Sequence, residues 1–219
     1  MKERPILFSG TMVRAILDGR KTQTRRVMKP QPEWVTPDGV MCWNKSCAMV
    51  KAHKGPYGFP GDRLWVRETW SDVNSPFGPA ICYRADGSYM AWEDFSKTFG
   101  PDYGAGPSMD YDAYPGDYLM WWEDLLNRDQ HKEEGYRWKS PYHMPRWASR
   151  IMLEVKGVRV ERLQDIGQGS ACAEGCPPLN EPIEWFHGLW DTINGKTYPW
   201  SSNPFVWVIE FKRIEGGVS

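Results

Sequence analysis

The sequence has no apolar run long enough to cross a bilayer, and Met1-Lys2-Glu3-Arg4 leads into no apolar core of the signal-peptide kind. The expected setting is the cytoplasm, with no membrane partner. Cysteine is scarce, five residues in 219, and an odd number without an export signal reads as reduced thiols rather than a disulfide framework. Neither Cys42 with Cys47 nor Cys172 with Cys176 has zinc-finger spacing beside paired histidines, so no metal site is expected, and no motif calls for a cofactor. His53, His131, His143 and His187 fall in no catalytic spacing, and His187, beside Phe186 on an apolar stretch, reads as a packing residue. An excess of one sign of charge is missing too. The 27 basic and 28 acidic side chains leave a net charge of −1, which offers no global field to attract nucleic acid.

What is present is an unusual mixture: 41% hydrophobic residues with 18 prolines, 21 glycines and 13 tryptophans. Such a composition favours short strands and long packed loops over helices. The length suits one well-cored domain spanning 1–219 and carrying a large insertion. Charge is balanced overall but not locally. Arg14, Arg20, Lys21, Arg25, Arg26 and Lys29 are offset in their segment by Asp18 alone, which suggests a local anion site.

That segment holds the densest signal. Behind the cap candidates Ser9 and Thr11, Met12, Val13, Ile16 and Leu17 recur at helical spacing, and Gly19 stands where a helix ends in a left-handed turn. Beyond it, Lys21, Gln23 and Arg25 alternate with Thr22, Thr24 and Arg26, as on a strand with two side-chain faces. Strict alternation would send Lys21 and Thr24 to opposite faces, so a shared pocket requires a turn around Lys21-Thr22.

Elsewhere, Pro5 to Phe8, Arg63 to Trp70 and Ile81 to Arg84 read as strands. The text from Glu33 to Pro60 is irregular and suggests a loop packed on Trp34 and Trp43. Residues 85–145 change character, crowded with Tyr, Trp, Asp, Gly and Pro, with a hint of helix only around 121–126. A loop so long is usually functional, and its aromatics argue against disorder. Arg146 to Leu163 reads as two strands or one long bent strand, Leu163 to Gly175 as a short helix, Pro182 to Asn194 as an amphipathic helix closed by Gly195, and Phe205 to Ile214 as the last strand.

The run Gly19-Arg20-Lys21-Thr22-x-Thr24-x-Arg26 at a helix exit resembles the signature of the ASCH domain family. Two further anchors follow in order, Gly61-Asp62-Arg63-Leu64-Trp65-Val66 and Val208-Ile209-Glu210-Phe211-Lys212, so the resemblance covers about half of the chain. It implies an α+β fold built on a small PUA-like β-barrel with a few flanking helices, the aromatic-rich insertion at about 85–145 covering one mouth. The nearest likeness is to small bacterial N4-acetylcytidine amidohydrolases, in an extended form similar to those of phages and prophages.

That likeness implies catalysis by Lys21 and Thr24 together with Glu174, which falls on the family's glutamate when Leu163 through Glu174 is aligned without gaps. The residue types suit the chemistry. Threonine needs an adjacent base, and a lysine can serve where burial and neighbouring cations push its pKa down. The alternative within the site has water attacking, with Glu174 as its base and Thr24 bonding the substrate. Arg20, Arg26, Glu68, Trp70, Arg146 and Arg150 are candidate substrate-binding residues, with Trp70 or Trp147 as a stacking surface and Glu68 as a rival carboxylate. The expected partner is a nucleoside or nucleotide. RNA is the alternative, since PUA-like barrels commonly bind it and some ASCH proteins resemble ribonucleases. Against these readings, Glu174 can be a solvated turn residue, and Arg146 and Arg150 can be structural ion-pair partners.

Overall fold

The computed structural model describes residues 1–36, 40–43, 46–49, 55–75, 78–91, 138–178 and 181–214. The chain forms two compact units, one of Met1–Ile6, Ala15–Trp65 and Ile151–Gly216, the other of Leu7–Arg14, Val66–Arg150 and Gly217–Ser219. The architecture is α+β, and no helix among the described residues is long and apolar enough to cross a membrane.

The first unit is organised by two long strands, β10 (Met152–Arg162) and β11 (Phe205–Ile214), whose alternating β-branched and aromatic residues suit a pleated sheet. They pair antiparallel within a five-stranded sheet of order β1-β6-β10-β11-β2, where β1 is Glu3–Leu7, β2 is Gln23–Val27 and β6 is Arg63–Arg67. β1 and β2 are the edges, and among the described residues no pairing closes the sheet into a barrel.

One irregularity in β10 decides which side chains share a face. Val155 is opposite Phe211, but Gly157 is opposite Glu210, so Lys156 is an extra residue, a β-bulge. Cross-strand partners lie on the same face. Val155 therefore goes with Phe211 on one face, while Arg159 and Glu161, opposite Val208 and Val206, go with Glu210 on the other. The register of β2 completes both sets. Thr24 and Arg26 join Ile209 and Trp207, and Gln23 and Arg25 join Glu210 and Val208.

The second of these faces is roofed by two helices, α2 (Gln168–Ala173) and α3 (Pro182–Asn194). The apolar stripe of α3 brings Phe186 and Trp190 onto Val206 and Val208, with Leu163, Ile166 and Ala171 filling the gap. Each fully buried side chain of this size contributes about 1.5–3 kcal/mol. The Leu163–Gly175 segment is a 3₁₀ turn, Leu163–Asp165, followed by α2, rather than one helix. His187 stacks on Trp200 with ring centroids 4.8 Å apart, yet it remains exposed beside Asp191.

Three expectations need correction. Glu33 to Pro60 is not simply loop: β3 (Trp34–Val35), β4 (Val40–Trp43) and β5 (Ser46–Met49) make a three-stranded sheet, with Trp34 opposite Cys42 and half exposed rather than packed. Strands of two to four residues are too short for alternation to register. Cys42 is disulfide-bonded, whereas Cys82, Cys172 and Cys176 form no disulfide. In β4 and β5, Cys42 lies directly opposite Cys47, a pairing that spacing along the chain does not advertise. Finally, Arg63 to Trp70 is not one strand: β6 stops at Arg67 and β7 (Trp70–Ser75) begins afterwards, with Glu68 and Thr69 between.

In the second unit β7 pairs with β8 (Gly78–Tyr83), and β8 with β9 (Tyr89–Ala91). Trp70, Ile81, Tyr83, Met144 and Ala148 form its core. The helix hint at 121–126 and most of the 85–145 insertion lie outside the described residues.

Candidate active site

The helix α1 (Gly10–Leu17) ends as its sequence foretells, with Gly19 at φ 74° reversing the chain. The Lys21 amide then donates to the Ala15 carbonyl at 2.9 Å, tying the next segment back to the helix end. Lys21 forms an isolated antiparallel bridge with Glu174, and the Thr22 amide donates to the Ala173 carbonyl at 2.9 Å. The regular strand begins only at Gln23, so the irregular step that the motif demands falls on Lys21 and Thr22.

Glu174 is supplied by the last turn of α2, and Gly175 follows it at φ 99°. A Cβ there would stand 2.9 Å from Cβ of Ala15 and 3.1 Å from Cβ of Lys21. Only glycine permits this approach, which lets the Lys21 stem lie against the α2 exit.

Nζ of Lys21 donates to Oε2 of Glu174 at 2.8 Å and to its carbonyl oxygen at 2.7 Å. NH1 of Arg25 donates to Oε1 of the same carboxylate at 3.1 Å. The side chains of Lys21, Arg25 and Glu174 are 0%, 1% and 3% exposed, so Glu174 is no solvated turn residue. One buried carboxylate thus serves two buried cations, and the guanidinium of Arg25 also rests over the Phe186 ring at 5.7 Å. Burial drives the Lys21 pKa below its ordinary value. Glu174 opposes that, and the charges of Arg26 and Arg25 add to it. Burial likewise lowers the pKa of Arg26 and raises that of Tyr57, which face one another electrostatically.

Thr24 is buried at 2% exposure, and its side chain leaves β2 on the face opposite to that of Arg25. Arg20 donates to the Gly175 carbonyl at 2.9 Å and pairs with Asp18 at 2.8 Å. Beside the Lys21–Glu174 bridge an open cleft of about 360 Å³ is lined by Thr22, Gln23, Ser170, Ala173, Glu210 and Phe211, among others.

The remaining candidates belong to the second unit. Arg150 grips Glu68 with Nε and NH2, both at 2.9 Å, pairs with Asp86 at 2.8 Å, bonds Ser88, and lies over the Tyr83 ring at 4.1 Å. Trp70 is buried at 5% exposure, with Lys139 over its ring and Trp147 edge-on at 6.1 Å. Arg146 sits in a half-buried 3₁₀ turn, Arg146–Ala148. Two contributors to the first cluster, Glu161 and Tyr57, carry no motif, and only their geometry singles them out. Among the described residues no group of three or more His, Cys, Asp and Glu side chains is placed to hold a metal.

No family model, curated protein or solved structure matches the chain.

Proposed function

We propose that the first unit is an ASCH-type amidohydrolase site that removes an acyl group from the exocyclic amine of a cytidine-like nucleoside. The observation that carries this reading is the Lys21–Glu174 pair, fully enclosed, 2.8 Å apart, and set among more cations than anions. Enclosure and cationic neighbours both favour a neutral lysine, which is a base. Nζ of Lys21 donates twice to Glu174, and Thr24 leaves the strand on the other face from Arg25; the register favours water over threonine as the attacking group.

In this mechanism neutral Lys21 takes a proton from the attacking water as the C–O bond forms. Arg25, which shares Glu174 with Lys21, stabilises the oxyanion of the tetrahedral intermediate, and the charge of Arg26 acts on Lys21 from the other face of β2. Glu174 relays the proton to the amine nitrogen, the C–N bond breaks, and the products are the carboxylic acid and the free nucleoside. The sheet supports the finer fold reading to this extent: β1, α1 and β2 reproduce the expected order of strand, signature helix and strand, and β1 and β2 are the two edges that a PUA-like barrel would join. A cytoplasmic enzyme of this class acts on a small nucleoside or nucleotide.

The test is hydrolysis of N4-acetylcytidine, followed by ultraviolet absorbance, for wild type and for Lys21→Ala, Glu174→Gln and Thr24→Ala. Turnover should fall by about 10²–10⁴ in the first two and by less in the third. Absence of turnover in folded wild-type protein, together with salt-dependent RNA binding, would replace this reading with that of an RNA-binding module.

A further inference from the structure

The Lys21 cluster does not end at Arg25. Nε of Arg25 donates to Oε1 of Glu161 at 3.1 Å, and NH2 bonds the same oxygen. The other oxygen of Glu161 accepts from Nε of Arg159 at 3.0 Å, and NH1 of Arg159 pairs with Glu210. The groups alternate in charge along one face of the sheet: Lys21, Glu174, Arg25, Glu161, Arg159, Glu210. Exposure rises along the series, from 0% at the Lys21 side chain through 18% at Glu161 to 46% at Glu210. The β10 bulge puts Arg159 and Glu161 on the face that holds Arg25.

A guanidinium shared between two carboxylates divides its interaction between them, and Arg25 touches both Glu174 and Glu161. We propose that Glu161 is a positioning residue for the site: by holding Arg25 it determines how much of the Glu174 carboxylate is left to Lys21. The charged groups facing Lys21 are Glu174 from the end of α2, and Arg25 and Arg26 from β2. Glu161 reaches it from β10 through Arg25, and Tyr57 bears on it through Arg26. The inference rests on the hydrolase reading for its catalytic consequence but not for its electrostatics.

The network predicts two opposite responses. Glu161→Gln removes the negative charge that occupies Arg25, so the guanidinium turns wholly to Glu174, the field at Lys21 becomes more positive, and the lysine gives up its proton at lower pH. Arg159→Gln removes the cation that competes for Glu161, so Glu161 neutralises Arg25 more fully and Lys21 keeps its proton to higher pH. A general loosening of the site would move both variants the same way.

The experiment is an NMR titration of protein carrying ¹³C at the lysine ε carbon, with the Lys21 signal identified by its loss in Lys21→Arg. Glu161→Gln should lower the Lys21 midpoint by about one pH unit, a tenfold gain in neutral fraction below the midpoint, and Arg159→Gln should raise it. Glu161→Asp, which keeps the charge, should restore most of the wild-type midpoint. Arg159 is 40% exposed, so its variant remains folded and informative even where loss of Glu161 is not tolerated. Midpoints that stay in place, or that move in the same direction in both variants, overturn the proposal. Turnover of N4-acetylcytidine is measured on the same samples. Opposite shifts without wild-type turnover refute the hydrolase reading alone, and turnover without shifts refutes the role of Glu161 alone.

Discussion

Each unit buries an ion cluster, and the two are built on inverse stoichiometry. In the second unit one guanidinium, Arg150, serves two carboxylates, Glu68 and Asp86, with a serine hydroxyl and the Tyr83 ring occupying what remains of it. In the first, one carboxylate, Glu174, serves two cations, Lys21 and Arg25. Arg150 spends donors from all three of its nitrogens on these partners and braces the segments it joins. Sharing Glu174 with Arg25, which Glu161 holds from its other side, and facing the charge of Arg26, the buried Lys21 is inclined to shed its proton. The first arrangement supports structure; on the proposed reading the second supports chemistry at the expense of stability.

The largest effect that tests this contrast is on stability. Arg150→Met strands the Glu68 carboxylate, 1% exposed, without its partner, and should cost about 3–5 kcal/mol in urea denaturation. Lys21→Met leaves Glu174 paired with Arg25 and should lower stability far less while abolishing turnover. Equal losses in the two variants would erase the distinction between brace and site.

A smaller effect is expected at the joint behind Glu174. Gly175→Ala places a Cβ against Ala15 and Lys21 at φ 99°, and should cost about 1–3 kcal/mol as well as reducing turnover through displacement of Lys21. Retained activity would show that the lysine stem need not lie where it does.

The smallest effect is on the pH dependence of stability, and its sign differs between the clusters. Burial raises the Glu68 pKa in spite of Arg150, so the folded state holds the proton more tightly than the unfolded chain, whose value is about 4.3. Its contribution is full below that value and is lost as pH rises through the folded one. The Lys21 pKa is lowered by burial, so its contribution is present above the unfolded value of about 10.4 and is lost as pH falls through the folded one. Glu68→Gln should flatten the acid side of the stability profile and Lys21→Met the alkaline side, as read by urea midpoints across pH.

Much of the first unit was legible because its elements are long and periodic. The helix Pro182–Asn194 and the strand Phe205–Ile214 have the bounds that their residue patterns indicate. Lys21 and Glu174 also meet in space. Other parts depend on register, which no local pattern records. Arg25 was visible as one more basic residue near Lys21, but its second partner, Glu161, is 136 residues away and reaches it only because β10 and β2 flank β11. Glu68 and Arg150 were candidate substrate ligands, with a structural ion pair as the alternative for Arg150, and isolated charges in a strand and before a strand carry no mark that they are each other's partner.

The bulge at Lys156 makes β10 behave like a message with a reading frame. Leu153 and Val155, which precede it, and Arg159 and Glu161, which follow it, all stand at odd positions, yet the extra residue sends the two pairs to opposite sides of the sheet. The Lys156 side chain is 48% exposed, so its identity matters little to the interior. Its presence matters more. A substitution there changes one surface residue, whereas a deletion closes the frame and makes the strand choose between keeping its apolar residues in the core and keeping Glu161 beside Arg25. Length at this point should vary less than composition, the reverse of what an exposed lysine ordinarily implies.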